Sequence, residues 1–361
     1  MAVRELDASV LPGLARGCAI LGTGGGGDPY IGMLMALQAI EEHGPVRLVA
    51  LEDLADDDLL MPCGMVGAPT VSIEKICNGS EGGRLREQVE ALFGRPVAAL
   101  MSGEIGGSNG VLPISWAARL GLPVVDADGM GRAFPEIPMM TMEVAGIPPN
   151  PSVMTDEHGN VVVFATVSGQ WTERLERAVA VEFGARAASA EYMLTAGQAR
   201  TATVHGSVSL AIRLGHVVAE ARDDPLAALV DELGAFRLLD GKVVDVERRT
   251  TGGFVRGSAT IEGLGRDRGR TLVLEIQNEN LVALEDGLVR AIVPDLISVL
   301  DSQTAEAITT ERLRYGQRVS VIAFACDPVW RTPRGLEVAG PRAFGYEHAY
   351  VPVEELNAAA P

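Results

Sequence analysis

The sequence predicts an α/β protein of two domains: a mainly parallel sheet with helices on both faces over residues 1–167, then a β-rich domain with a few helices over residues 168–361. Three observations predict it. At 361 residues the chain is longer than one compact core usually serves. Before about Val167, short apolar runs alternate with helix-length segments, the pattern of a parallel sheet covered on both faces. After it, β-prone runs separated by turn signals take over.

Taken in order, Asp7 is placed to cap a first helix running to Arg16, and Gly17 to Leu21 leads into a glycine cluster. Pro29 to about His43 reads as a helix with Ile31, Leu34, Met35, Ala36 and Ile40 largely on one face. Strands are expected from Val46 to Leu51 and from Leu59 to Gly67, and an amphipathic helix from Glu81 to Phe93. Two further strands, Val97 to Met101 and Leu122 to Val125, are separated by a helix near Pro113 to Leu120. Past the boundary, Trp171 to Ala188 and Ser207 to Ala221 read as helices, the second capped by Ser207. From Phe236 onward, Leu239-Asp240-Gly241-Lys242 and Leu284-Glu285-Asp286-Gly287-Leu288 each set Asp-Gly between apolar alternations, a hairpin signal. Phe254 to Ile261, Leu272 to Gln277 and Arg318 to Ala325 add strands.

The chemistry is expected in the stretch LMSGEIGGSNGVLPISWAARLGLPVVDADGMGRAFPE, Leu100 to Glu136. Two apolar strands there each run into a small-residue loop that carries carboxylates. Ligands of open α/β sheets bind beyond the carboxyl ends of the strands. Glu104, Asn109, Asp126, Asp128 and Arg132 are therefore expected to converge on one crevice. Each also has a plainer use: the acids as caps or turn residues, and Arg132 as their ion-pair partner.

Composition narrows the partners. Apolar residues make up 47% and charged residues 22%, enough for a sizeable core. The net charge of −18 repels nucleic acid and anionic membranes, so neither is an expected partner. No run approaches the roughly 18 apolar residues of a membrane span. The N-terminus lacks the basic and apolar regions of a signal peptide, which makes the expected location cytoplasmic. Cys18, Cys63, Cys77 and Cys326 fit no metal or disulfide spacing and are expected to be reduced. Cys63, at a strand end, is either a packed thiol or a nucleophile. No G-x-S-x-G elbow is present.

Gly22-Thr23-Gly24-Gly25-Gly26-Gly27 satisfies G-x-G-x-x-G, and Glu52 or Asp53 follows at a ribose-binding distance, so a nucleotide-dependent enzyme is the rival reading. Against it, the segment before Gly22 reads as a helix end. Asp28-Pro29 also makes a self-sufficient N-cap where a pyrophosphate would sit. The preferred reading is a glycine loop that lets a substrate approach the backbone, with Gly24, Gly25, Gly26, Asp28, Gly106, Gly107, Asn109 and Lys75 as binding residues. Glu74-Lys75 would otherwise be an exposed charge pair.

Five motifs in order, GTGGGGDP (Gly22–Pro29), CGMVGAPTVSIEK (Cys63–Lys75), EIGGSNG (Glu104–Gly110), VVDADGMGRAFPE (Val124–Glu136) and DPVWRTPRGLEVAGPRAFGYEHAYVP (Asp327–Pro352), resemble the S-methyl-thiohydantoin desulfurase family, formerly a domain of unknown function. The resemblance covers nearly the whole chain. It implies a hydrolase that releases sulfide or methanethiol from C2 of a thiohydantoin-like ring to give a hydantoin, in thioimidazole and hydantoin catabolism. It also implies a small heterocyclic substrate, and a second copy of the chain or a hydantoinase-type protein as partner. A noncatalytic subunit of such a complex is the other rival.

That chemistry needs an activated water and a stabilised anionic centre. Glu104 and Asp128 are the candidate bases, with Asp126 tuning them and Arg132 meeting developing charge or a substrate carboxylate. No histidine pair has ligand spacing. A divalent metal such as zinc would have to assemble from His205, Asp126 and Asp128. The Trp330-Arg331-Thr332 segment is either a crevice wall or packing, and Pro341 to Tyr346 a terminal strap.

Overall fold

The computed structural model describes residues 4–67, 71, 75, 77–251 and 254–358. Ten strands form the first sheet: β1 (Glu5–Leu6), β2 (Val46–Val49), β3 (Leu59–Gly67), β4 (Val97–Ser102), β5 (Val124–Asp128), β6 (Ser152–Thr155), β7 (Val161–Phe164), β8 (Arg186–Ala190), β9 (Leu194–Thr195) and β10 (Val204–His205). Their order is β1-β2-β5-β4-β3-β8-β6-β7, with β10 on β5 and β9 on β3. Only β2-β5-β4-β3 run parallel. The expected mainly parallel sheet is thus a mixed one: a four-stranded parallel core with antiparallel strands added around it. Strands from both sides of residue 167 contribute to it.

Eleven α-helices accompany the sheets among the described residues: α1 (Leu11–Leu21), α2 (Pro29–His43), α3 (Glu81–Phe93), α4 (Leu112–Leu120), α5 (Thr141–Val144), α6 (Gly169–Glu182), α7 (Ala196–Ala202), α8 (Ser207–Glu220), α9 (Pro225–Leu233), α10 (Pro333–Ala339) and α11 (Val353–Asn357). None is long and apolar enough to cross a membrane. The expected helix from Trp171 to Ala188 stops early. Gly184 and Ala185 both take positive φ, and the chain turns into β8. The helix expected to end at Arg16 instead continues to Leu21.

The second sheet is antiparallel and seven-stranded: β11 (Phe236–Thr251), β12 (Phe254–Gly263), β13 (Thr271–Gln277), β14 (Glu279–Glu285), β15 (Leu288–Ile292), β16 (Leu296–Asp301) and β17 (Arg318–Phe324), in the order β15-β14-β13-β12-β11-β17-β16. Asp286-Gly287 makes the expected hairpin between β14 and β15, both residues at positive φ. Asp240-Gly241 does not. It lies inside the 16-residue β11, where Gly241 pairs with Gly263 on one side and Val319 on the other. Ladders on both edges of β11 override the local turn preference.

One apolar core runs through the first sheet and on to Leu281, Val282, Ile292, Val293 and Ile322 of the second, joining the two halves. A separate core, including Leu239, Ile261, Leu274, Ile297 and Val321, fills the other face of the second sheet. The tail then returns to the first half. Trp330 is fully buried, donates from Nε1 to the Met130 carbonyl at 2.7 Å and meets Phe134 edge-on at 5.0 Å. Phe344 stacks on the same ring at 6.3 Å. Trp330→Ala is expected to lower stability by about 3–5 kcal/mol, the usual cost of emptying so large a buried site, read as a shift in the urea unfolding midpoint.

Candidate active site

The carboxyl ends of β3 and β4 open onto a cleft of about 830 Å³, mouth included, a size suited to a small heterocycle. Its floor is glycine loops. Ser108 N donates to Gly26 O (2.9 Å) and to Gly27 O (3.1 Å). A Cβ on Gly107 would lie 2.4 Å from the Gly26 carbonyl carbon, so only bare backbones pass this closely. The Gly22–Gly27 loop follows helix α1 and not a strand, so it lacks the context of a dinucleotide-binding turn. The C-terminal half closes it from above: Asn280 N donates to Thr23 O and Thr310 N to Gly24 O, both at 2.8 Å. Gly26 lines the cleft, while Gly24 and Gly25 are buried behind it.

Among the described residues four carboxyls line the cleft: Glu104, Glu136, Glu191 and Glu279. Glu104 follows β4 and is 8% exposed. It accepts from Asn109 Nδ2 at 2.7 Å and from Phe134 N at 3.2 Å. Asn109 is fixed in turn by the Met65 backbone, which it meets as both donor and acceptor. Burial raises the Glu104 carboxyl to about 8 against the pull of these two donors. Glu279 stands at the tip between β13 and β14, where Asn278 takes positive φ. It is 1% exposed, its Oε2 has no partner among the described residues, and burial with Glu104 nearby holds it well above the carboxylate range. A Cβ on Gly25 would sit 2.0 Å from Glu279 Oε1, so glycine there makes room for the carboxyl.

Glu191 occupies the gap between β8 and β9. Both strands pair with β3, but the ladder skips Met61 and Pro62, and Pro62 has no N–H to give. Cys63 pairs with Ser102 on one side and Ala190 on the other, so Glu104 and Glu191 start from strands flanking the same residue. Two cations, Arg177 and Arg186, also line the cleft. Arg177 pairs with Glu173 and lies 4.5 Å over the Phe254 ring.

The remaining sequence-derived candidates lie elsewhere. Asp128 is fully buried and does not line the cleft. Its Oδ2 takes the amides of Ile105, Met130 and Gly131 at 2.8–2.9 Å, which ties the β4 and β5 loops together. Burial raises it to about 6. Asp126 accepts from Ser209 N (2.9 Å) and from Ser209 Oγ, capping α8 from across the sheet. Ser207, the expected cap, supplies no capping bond. Both aspartates are covered by β10, which pairs with β5 there. Arg132 is fully buried and donates to main-chain carbonyls, including Asp295 O at 3.1 Å, and to Thr23 Oγ1. Asp28 caps α2 and pairs with Arg312. Lys75 bonds Glu157 at 2.9 Å and the Phe183 and Arg186 carbonyls. Gly106 packs against Ala133. Glu74 lies outside the described residues.

The expected metal trio does not assemble. His205 is exposed on β10, Asp126 is held by Ser209, and Asp128 gives Oδ2 to three amides while its Oδ1 has no partner among the described residues. Among the described residues no three His, Cys, Asp or Glu side chains are grouped to hold a metal ion. Cys63 is buried, with its thiol pushed up by burial. Of the tail, Trp330 and Phe344 back the wall residue Phe134 but do not line the cleft.

Fold and site together define a two-domain α/β protein with an acid-lined cleft between its sheets. The chain belongs to the S-Me-THD-like family: the model of that family's N-terminal domain matches residues 9–166, and that of its C-terminal domain residues 167–353. A crystal structure of a protein from Chromobacterium violaceum superposes with a TM-score of 0.80 at 26% identity, over 97% of this chain and 100% of that one. No curated protein matches the sequence.

Glu104 carries a proton in the folded protein that the unfolded chain loses above pH about 4.5, and releases it near pH about 8. Its contribution to stability is complete below the lower value and is lost as pH rises through the upper one. Glu191, raised to about 7, acts in the same direction. The urea midpoint should therefore fall as pH rises from about 5 to about 8. Gly25→Ala should displace Glu279 and lower stability by about 1–3 kcal/mol, the usual cost of overpacking a buried site, read as a drop in the urea unfolding midpoint.

Proposed function

We propose that the cleft hydrolyses a thiohydantoin-like ring at C2, releasing sulfide or methanethiol and leaving a hydantoin. Membership of the S-Me-THD-like family supports the ring class. The observation that carries the reaction is the carboxyl pair Glu104 and Glu279, buried together at the end of β4 with unequal surroundings. Glu104 receives two hydrogen-bond donors, which favour its charged form, whereas Glu279 has an oxygen with none. Glu104 is accordingly the base and Glu279 the acid.

Glu104 takes a proton from water as the water oxygen bonds to C2, and Glu279 gives its proton to a ring heteroatom. The tetrahedral centre then collapses with cleavage of the C–S bond. Its hydroxyl proton passes to Glu279, and Glu104 delivers its own to the departing sulfur. Both carboxyls end as they began. Asn109 holds Glu104 in place, and the apolar wall of Met65, Met130, Phe134 and Met140 supports a flat ring. Arg186, buried with Nε unpartnered among the described residues, is suited to an acidic substituent on that ring.

Purified protein given a thiohydantoin and its S-methyl form should release sulfide or methanethiol. Silence across several such rings, with and without divalent metals, would overturn the reading. Glu104→Gln should lower kcat by about 10²–10⁴-fold with KM little changed. Because the base works ionised, the wild-type rate should climb with pH toward about 8, and this limb should vanish in the variant.

A further inference from the structure

Helix α6 directs Glu173 and Glu176 inward, both buried. Glu173 has clear partners, Arg177 and the Ile137 amide. Glu176 does not. It is fully buried, and the Ser152 hydroxyl donates to its Oε1 at 2.6 Å. Val153 pairs with Ala190, so Ser152 of β6 lies beside Glu191. Glu176 and Glu191 therefore flank the same residue, one bonded to the Ser152 hydroxyl and the other beside it at the end of the β6–β8 ladder. Glu176 Oε2 and Glu191 Oε1 are both buried without a partner among the described residues. No cation lies within ion-pair distance of either among the described residues.

We infer that Glu176 and Glu191 act as one unit holding a shared proton at the wall of the cleft: Glu191 is a second proton-exchanging group facing the substrate, and Glu176 is the positioning residue that sets its proton affinity. Two buried carboxylates flanking one hydroxyl with no cation cannot both ionise in a dry interior, so the pair keeps at least one proton at neutral pH. The other titratable groups around it do not supply a counter-charge. Glu173 is already paired, Cys63 is a buried thiol, and Tyr192 gives its hydroxyl to Glu143 at 2.8 Å. Burial raises the proton affinity of both members. Glu191 lines the cleft and Glu176 does not, so the shared proton meets the substrate through Glu191. The pair titrates as a unit, with apparent values that belong to neither residue alone.

Exchange with substrate rests on the hydrolase reading above, whereas the shared proton does not. Infrared spectroscopy of the full-length protein at neutral pH reads the carbonyl band of protonated carboxyls directly. Glu176→Gln preserves size, keeps an acceptor for Ser152 and offers Glu191 an N–H donor. It should delete one protonated-carboxyl band and lower the titration point of Glu191 at least tenfold in proton affinity, one pH unit. Should that variant not fold, Glu191→Gln reports the same band from the other partner. An unchanged band and titration in the variant would overturn the shared proton. In the thiol-release assay, Glu176→Gln should shift a limb of the pH profile by the same unit, without the loss of kcat caused by Glu104→Gln. A moved infrared titration with an unmoved pH profile would overturn the role of Glu191 in the cleft. Absence of any turnover in the wild type would sink the hydrolase reading and leave the pair to be judged by its infrared band.

Discussion

A guanidinium shut away from water must place its donors on protein acceptors, and Arg132 places them across both halves of the chain. It donates to the carbonyls of Ala133, Pro294 and Asp295 and to the Thr23 hydroxyl, with Phe134 under its face at 4.3 Å. Thr23 opens the glycine loop, Phe134 is a wall of the cleft, and Pro294 and Asp295 lead into β16. Asp295 itself is a junction, accepting from Cys326 N, Arg331, Tyr350 and Val353 N. The cleft, its roof and the returning tail are thus tied through one buried cation. Burial lowers its pKa to about 10, and Glu279, Asp295 and Glu104 pull it back. It remains charged at any physiological pH, and its field favours the ionised form of the two cleft carboxyls.

Much of this was legible in the sequence, for a specific reason. Apolar period and helix punctuation are local signals, and they gave the parallel core, α2 and α3 within a few residues. Glu104 and Asn109 were legible as cleft-lining positions because ligand sites gather beyond strand ends, and Gly26 because a glycine loop lets backbones approach closely. Asp126 and Asp128 share that location, but a capping carboxylate and a cleft carboxylate have the same local sequence. What separates them is β10, an antiparallel strand arriving from almost eighty positions later. Glu279 was invisible for the same reason, although Gln277-Asn278-Glu279-Asn280, four polar residues interrupting an apolar β run, marks the spot. Glu191 depends on a gap opposite Pro62, which no local pattern announces.

The electrostatics also differ from what net charge suggests. A chain at −18 would ordinarily be expected to keep its acids in water. Here Glu104, Asp128, Glu176, Glu191 and Glu279 are all buried, and their proton affinities rise together. The consequence is a set of carboxyls that hold their protons to higher pH than a free carboxylate does. That is a proton inventory suited to moving hydrogen between water, nitrogen and sulfur without histidine.

Gly25 and Glu279 lie on opposite sides of the division between the two family domains, yet one exists to make room for the other. The same holds for Glu104 and Glu191, which flank a single residue of β3 from different domains. Recombination between distant relatives at that division would bring together loops and carboxyls shaped for different partners. The geometry ties the two domains together: a side chain added to the glycine loop of one would meet the hairpin tip of the other.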